Sequence, residues 1–376
     1  MPKKVLFLTL KTFSFTGGIE KVCRVLTRTL YDLSVKDLIE PKSFSMYDRS
    51  LDRDAKYILK EQFRAFKGNQ VLFSLAAVAE GIRSNTVILS HINLLFIALL
   101  IKRFSPKTKI ILFAHGIEVW RVLKKWKRNF LQKECDEIWA VSSHTAFEIQ
   151  ERHQVPGNRI KVVHNCLDPF LEIPTDFSKP GELLKRYNLA PSDPVLFTLT
   201  RLSSSELYKG YDLVIETIPR LLKSFPALKY IIAGKADLAE KNRLLQLIKE
   251  YQVEEHVILP GFVPEEELSD HFLLADVFVM PSRKEGFGIV FIEAAACGCK
   301  IIAGNQDGSV DALLNGRLGT LISPTDKNEV LQAITTNLFM QRTGASSLAI
   351  QNRCMENFSY KAYSGRIKEL ILSDEL

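Results

Sequence analysis

Apolar runs of four to seven residues alternate with amphipathic stretches along this chain, most regularly in its C-terminal half. There PVLFTLTRL (194–202), LKYIIAG (228–234), HVILPG (256–261), DVFVMPS (276–282), KIIAGN (300–305) and LGTLIS (318–323) read as strands. Between them, helical spacing of apolar residues spans 209–225, 238–253, 265–275 and a segment ending at Gly298, with a short helix before the last strand. Continuous apolar strands, each followed by a helix, predict a parallel sheet covered on both faces. The N-terminal half repeats the scheme more loosely. VLFLTL (5–10) leads through a glycine loop into a helix from about Ile19, and NTVILSH (85–91), TKIILFAHG (108–116), EIWAVSS (137–143) and IKVVHN (160–165) read as later strands. The stretch 168–194, rich in Pro, Ser, Asp and Lys, reads as a linker. The expectation is an α/β protein of two doubly wound domains facing each other across a cleft, with the ligand at the carboxyl ends of the sheets.

Composition narrows the class. At 376 residues the length suits two domains, and 46% hydrophobic with 25% charged residues excludes disorder and coiled coil. Six scattered cysteines fit a reducing, cytoplasmic setting better than a disulfide scaffold. The longest apolar stretch, 86–101, is interrupted by Ser90, His91 and Asn93 and falls short of the roughly 20 residues of a membrane span. The start, MPKKVLFLTLK, is too short for a secretory signal and reads as a first strand. Charge is asymmetric: residues 1–180 carry net +11 and the remainder net −4, so the N-terminal half is expected to face something anionic.

Candidate chemistry concentrates in PSRKEGFGIVFIEAAACG (281–298), a loop at a strand's carboxyl end running into a helix. Gly286 and Gly288 permit close backbone approach, and the amides of 288–290 open a helix N-terminus suited to phosphate. Alone, the same stretch would also suit a β–α turn carrying two solvated glutamates, Glu285 and Glu293. Arg201 at the end of one strand and Lys209-Gly210 at the start of the next helix add two cations at that sheet edge, which suits a diphosphate better than a random surface. Gly234 ends a further strand there.

Arg201, Lys209-Gly210, Gly234 and the Glu285-Gly-Phe-Gly…Glu293 element together resemble the donor site of family-4 retaining glycosyltransferases of the GT-B fold. Gly17-Gly18-Ile19-Glu20 and Ala114-His115-Gly116-Ile117-Glu118 match that family too, so the resemblance covers nearly the whole chain. It implies two Rossmann-like domains: an acceptor-side domain over 1–180, a donor domain over 190–355, and a final helix, 356–376, crossing back to the first. The resemblance gives Glu293 the nucleotide ribose. Glu285 and the backbone of Phe287, Gly288 and Ile289 take the transferred sugar, Arg201 and Lys209 the diphosphate, and Phe262 and Val263 the base. Gly17 and Gly18 let the backbone approach the diphosphate, and His115 lies near sugar and acceptor. The co-substrate is a UDP- or GDP-linked sugar and the acceptor a glycan or lipid-linked sugar. No cofactor is implied, and no Asp-x-Asp metal signature is expected. The family's usual Asn-Gly-Val-Asp is here Asn165-Cys166-Leu167-Asp168, and no role is carried onto it.

Over 101–133 there are ten Lys and Arg against one acid, Glu118. Within it, 119–133 reads as one helix with Val119, Val122, Leu123, Trp126 and Phe130 on a single face. Such a helix suits the headgroup region of an anionic membrane, or simply packs its apolar face on the sheet. Nucleic acid is not expected, because no binding motif accompanies the charge. Two other readings stay open: a nucleotide-sugar-binding protein without transferase activity, and another GT-B enzyme such as an epimerase or a phosphorylase.

Overall fold

In the computed structural model, which describes residues 2–373, the chain divides into two compact units. The first comprises the residues up to Pro169 with the segment from Tyr360 onward, and the second is Phe170–Ser359. The first holds a seven-stranded sheet built from β1 (Lys3–Thr9), β2 (Ile39–Ser45), β3 (Phe63–Ala65), β4 (Thr86–Leu89), β5 (Lys109–Ala114), β6 (Glu137–Ala140) and β7 (Ile160–Val162). The second holds six strands: β8 (Val195–Leu199), β9 (Lys229–Ala233), β10 (Val257–Gly261), β11 (Val277–Met280), β12 (Lys300–Gly304) and β13 (Thr320–Ile322). Every pairing is parallel. The orders are β3-β2-β1-β4-β5-β6-β7 and β10-β9-β8-β11-β12-β13. Both reverse beside their first strand, between β1 and β4 and between β8 and β11, and at such a reversal the loops leaving neighbouring strands diverge and open a binding crevice.

The central strands are apolar because helices cover both sheet faces. Every residue of β4 and β11 is buried, and Leu6, Leu8, Val87, Leu89, Leu112 and Ile138 belong to one core while Leu196, Ile232, Val277, Val279 and Ile302 belong to the other. Helix starts follow local chemistry: Ser142 and Asp237 accept the N–H groups of Thr145 (3.0 Å) and Glu240 (2.8 Å), donors otherwise left without partners. All six cysteines are free and buried.

Three parts differ from the sequence reading. The stretch 168–194 is no bare linker, since it carries a helix, Gly181–Arg186, with Leu183 and Leu189 buried, and Lys179 pairs with Asp276 at 2.7 Å. Residues 170–180 accordingly pack with the second unit. The expected helix over 119–133 is broken into Ile117–Trp120 and Lys125–Lys133. The ring Nε2 of buried His153 bonds the Val119 carbonyl at 2.6 Å, taking the acceptor that the Leu123 amide would need, and Arg121 and Lys124 turn extended. The single apolar face is therefore lost: Val119 and Phe130 are buried, whereas Val122 is 88% exposed. Third, the chain contains an Asp-x-Asp spacing, Asp52-Arg53-Asp54. It serves a surface turn, in which Asp52 accepts the Arg49 amide at 2.8 Å and Asp54 pairs with Lys56.

From Tyr360 the chain returns to the first unit as the helix Tyr360–Leu372. Its Tyr360 hydroxyl donates to Asp32 (2.6 Å), and the carbonyl of Ile371 accepts from Lys3 (3.2 Å).

Candidate functional site

In the second unit three loops meet where the strand order reverses. The loop after β8 carries Arg201 and runs through a 3₁₀ turn, Leu207–Lys209, into the helix Tyr211–Leu221. Gly234, at φ +145°, lies so close to this loop that a Cβ would overlap the Thr200 carbonyl oxygen, so only glycine lets the β8 and β9 loops touch there. Tyr208 ties the β8 loop to the β11 loop, its carbonyl accepting the Arg283 N–H at 3.0 Å. The ammonium groups of Lys209 and Lys284 stand 5.3 and 5.7 Å from its ring centroid. Burial, against the nearby charge of Lys209, pushes the phenol up to about 12, and Glu206, Glu285 and Arg201 also act on it. Lys209 and Lys284 thus flank one ring, and the charge of Arg201 also acts on it.

Lys209 and Arg201 each have a carboxylate partner. Lys209 Nζ lies 2.5 Å from Glu285 Oε1, with both side chains nearly buried, and Arg201 lies 3.1 Å from Glu206. Burial alone would favour neutral Lys209, but the Glu285 carboxylate, by charge and hydrogen bond, outweighs it and raises the lysine above its usual range. Beyond Glu285, Gly288 at φ +85° turns the chain into the helix Ile289–Ala296. The Phe287 ring is buried against Phe358 (centroids 5.6 Å apart), leaving only its backbone for a ligand. Glu293 is buried in that helix, and after β10 Phe262 is 56% exposed while Val263 is buried.

Asp307, after β12, carries the β11 loop, and nothing in the sequence singled it out. It is 2% exposed; its Oδ2 accepts the Glu285 amide at 2.6 Å and its Oδ1 the Ser309 amide at 2.9 Å. Burial first, and then the charge of Glu285, pushes its carboxyl up to about 7.

His115, Gly17 and Gly18 belong to the first unit. His115 follows β5, with Nε2 3.0 Å from the Ser90 carbonyl after β4. A carbonyl only accepts, so Nε2 carries the proton and Nδ1 presents a lone pair. That Nδ1 is buried and has no hydrogen-bond partner. Burial, with the neighbouring ring of His91, lowers the His115 pKa to about 3, and His91 itself is held near 4 by burial, Lys127 and Arg121. Glu118 accepts the His115 amide at 2.5 Å, and burial raises its carboxyl. The imidazole is therefore neutral and fixed in one tautomer.

Gly17 begins the helix Gly18–Val35 with extended backbone; a Cβ there would overlap only the end of the flexible Glu20 side chain and make ordinary contact with the Phe15 ring, and one at Gly18 would meet nothing. Neither glycine is required by packing within the chain. The loop before them is set by a second residue the sequence did not reveal, buried Asp48. It accepts the amides of Thr12, Phe13 and Ser14 (2.8, 3.1 and 3.1 Å) and the hydroxyls of Ser14 and Ser45 (2.5 and 2.8 Å). In the departing segment after β7, Cys166 is buried and its thiol raised by burial, while Asp168 accepts from Tyr57 at 2.6 Å.

Residues 16–169 match the model described as Glycosyltransferase Family 4, and residues 182–346 the model described as Glycosyl transferases group 1. The chain is 32% identical over 280 residues to the GDP-mannose-dependent α-(1-6)-phosphatidylinositol monomannoside mannosyltransferase of Mycolicibacterium smegmatis, covering 72% of this chain and 71% of that protein. It is 27% identical over 243 residues to a D-inositol 3-phosphate glycosyltransferase of Mycobacterium ulcerans, covering 64% and 50% of the two chains. Among solved structures it is similar to Anabaena HepE in complex with UDP and glucose, at a TM-score of 0.78 and 19% identity over 99% of this chain and 100% of that one. The two parallel-sheet units and this likeness give the GT-B fold.

Proposed function

The chain belongs to the family-4 glycosyltransferases, and we propose that it moves a hexose from a nucleotide-diphosphate sugar to a glycan or lipid-linked acceptor, with retention and without a metal ion. The observation that carries this reading is the nearly buried Lys209–Glu285 pair at the loop that opens a helix N-terminus, with Arg201 on the same β8 loop as Lys209. Fixed cations and exposed amides stabilise a departing diphosphate, and their preorganisation avoids rearrangement as charge develops.

Within this reading Lys209 and Arg201 hold the diphosphate, which competes with Glu206 for the exposed arginine. Glu285 and the amides of Phe287, Gly288 and Ile289 hold hydroxyls of the sugar. Glu293 accepts from the ribose, and the Phe262–Val263 segment meets the base. The bare Nδ1 of His115 accepts a hydrogen bond from a sugar or acceptor hydroxyl; at neutral pH the ring's one proton is on Nε2, so Nδ1 has none to donate. The acceptor oxygen bonds the anomeric carbon on the face the diphosphate leaves, and a phosphate oxygen takes its proton, so no protein nucleophile is needed.

The Mycolicibacterium relative makes GDP-mannose the first donor to try, and the HepE complex makes UDP-glucose the second. A thermal-shift panel of GDP-, UDP- and ADP-sugars tests the donor, since a ligand binding only the native state raises its melting temperature. Slow donor hydrolysis without acceptor, unaffected by EDTA, is expected; a donor that binds but is never hydrolysed or transferred contradicts the reading.

No helix among the described residues is long and apolar enough to cross a membrane. The proposed approach to a lipid-linked acceptor is peripheral, at the inner face of the plasma membrane, through 101–133. Phe104 (71% exposed), Val122 and Trp126 (39%) stand there among exposed Arg103, Lys107, Lys124 and Lys125. Each basic residue near an anionic surface contributes about 1 kcal/mol. Sedimentation with anionic liposomes at low salt, lost at high salt, is the expected result.

A further inference from the structure

Glu285 is gripped on both sides of its Cα. Its amide donates to Asp307 Oδ2 at 2.6 Å, and its carbonyl accepts the Gly308 amide at 2.9 Å. The contact is backbone on backbone: a Cβ on Gly308 would overlap the Gly286 carbonyl oxygen and come within 2.9 Å of that of Glu285. Asp307 is itself fixed, because its other oxygen accepts the Ser309 amide at 2.9 Å and the side chain is 2% exposed. The two bonds set the backbone torsions of Glu285, and hence the direction in which its carboxylate leaves toward Lys209. The β12 loop therefore supports the β11 loop from beneath.

We propose that Asp307 is a positioning residue of the transfer reaction: it aims Glu285, and the amides that follow it, at the sugar. It acts only through Glu285, so the inference rests on Glu285 facing the transferred sugar, as read above. An aliphatic residue at 307 would leave the Glu285 and Ser309 amides buried without acceptors, and the loop would relax to recover them. An asparagine would keep one acceptor and point an N–H at the other amide. The ionised form is required for the full grip, since a protonated carboxyl also presents a hydrogen to one of two donors. The groups facing this carboxyl are Glu285 from the β11 loop and Ser309 from its own loop, with Lys209 next beyond, paired to Glu285. Burial and the charge of Glu285 push the Asp307 carboxyl up to about 7, so its acceptor capacity changes around neutral pH.

The test uses the full chain with Asp307→Ala and Asp307→Asn. With the donor that the wild type turns over, Asp307→Ala is expected to lower kcat about 10–100-fold, the scale of a misplaced reacting group, with KM for the nucleotide sugar within about 3-fold. The wild-type pH profile of kcat should show a limb near pH 7 that is absent from Asp307→Asn. Amide exchange of the peptide 283–289, read by mass spectrometry, should quicken in Asp307→Asn while exchange over 86–116 stays unchanged; this readout needs no activity and survives if Asp307→Ala fails to fold. Wild-type kcat in Asp307→Ala, a persisting limb in Asp307→Asn, or unchanged exchange over 283–289 overturns the proposal. A wild type that transfers no hexose overturns the functional reading instead, leaving the exchange result to decide whether Asp307 holds the loop.

Discussion

Asp48 and Asp307 do the same task in the two units under different electrostatic conditions. Each follows a strand next to the one whose loop it holds: Asp48 after β2 holds the loop after β1, and Asp307 after β12 holds the loop after β11. Asp48 receives five hydrogen bonds from neutral donors, whereas Asp307 receives two and faces the charge of Glu285. The contrast extends to the groups they serve. The first unit offers a neutral, desolvated imidazole; the second offers a nearly buried Lys209–Glu285 pair and a more exposed Arg201 beside Glu206. Burial keeps the imidazole uncharged in the first unit, whereas in the second the Glu285 carboxylate keeps Lys209 charged against that same burial.

The largest expected effect tests the charged edge. Lys209→Ala and Glu285→Gln should each lower kcat about 100–1000-fold, the range for losing one preorganised stabiliser, with circular dichroism unchanged. Wild-type turnover in both would erase the functional side of the contrast. Next, Asp48→Ala strands several buried donors at 1–3 kcal/mol each, partly rescued by water, so a loss of roughly 2–4 kcal/mol and a lower melting temperature are expected. An unchanged melting curve would show that Asp48 is not the hub its bonds describe.

A subtler outcome separates the edges by the sign of their response to acid. His115 and His91 are depressed from 6.5 to about 3 and about 4, so their stabilising effect is present above pH 6.5 and is lost as pH falls through those values. Asp307 is raised from 3.8 to about 7, so ionising it to grip the loop costs global stability: that cost is absent below 3.8 and sets in as pH rises through 7. Between pH 7 and 4, exchange corrected for intrinsic rates should therefore quicken over 86–116 on acidification, while Asp307 works in the opposite sense, and Asp307→Asn removes that opposing contribution to stability. Equal slopes in the wild type and Asp307→Asn would break this part of the comparison.

The smallest effect concerns Glu206. Its bond to Arg201, whose side chain is 56% exposed, is weak in water, so Glu206→Gln should tighten GDP or UDP binding only about 2- to 5-fold by calorimetry. Weaker binding would mean that Glu206 supports the arginine rather than competing with the diphosphate.

Much of this was legible in the sequence, for reasons that differ by region. Strands such as VFVM and TVIL are buried on both faces and so read as unbroken apolar runs. β2 was passed over because IEPKSFS mixes exposed Glu40, partly exposed Lys42 and Pro41 into a strand. The helices Gln70–Gly81, Lys327–Phe339 and Gly344–Phe358 were also missed, although Asn69, Asp326 and Thr343 cap them in the usual way. Arg201, Lys209 and Glu285 stand out in the sequence because each lies at a strand end or helix start, where side-chain type is informative. Asp48 and Asp307 do not, because what they bind is backbone on other strands' loops, and no local pattern encodes that. The false helix over 119–133 has the same cause: its apolar spacing is real, but His153, which claims the Val119 carbonyl, lies outside it in the sequence.

The six buried thiols have a use that follows from how they are divided. Cys23, Cys135 and Cys166 lie in the first unit and Cys297, Cys299 and Cys354 in the second. A maleimide added to the native protein should label none of them quickly, so each alkylation event timestamps a local opening. Peptide mapping of the adducts then supplies a clock for each half, without introducing any label by mutation.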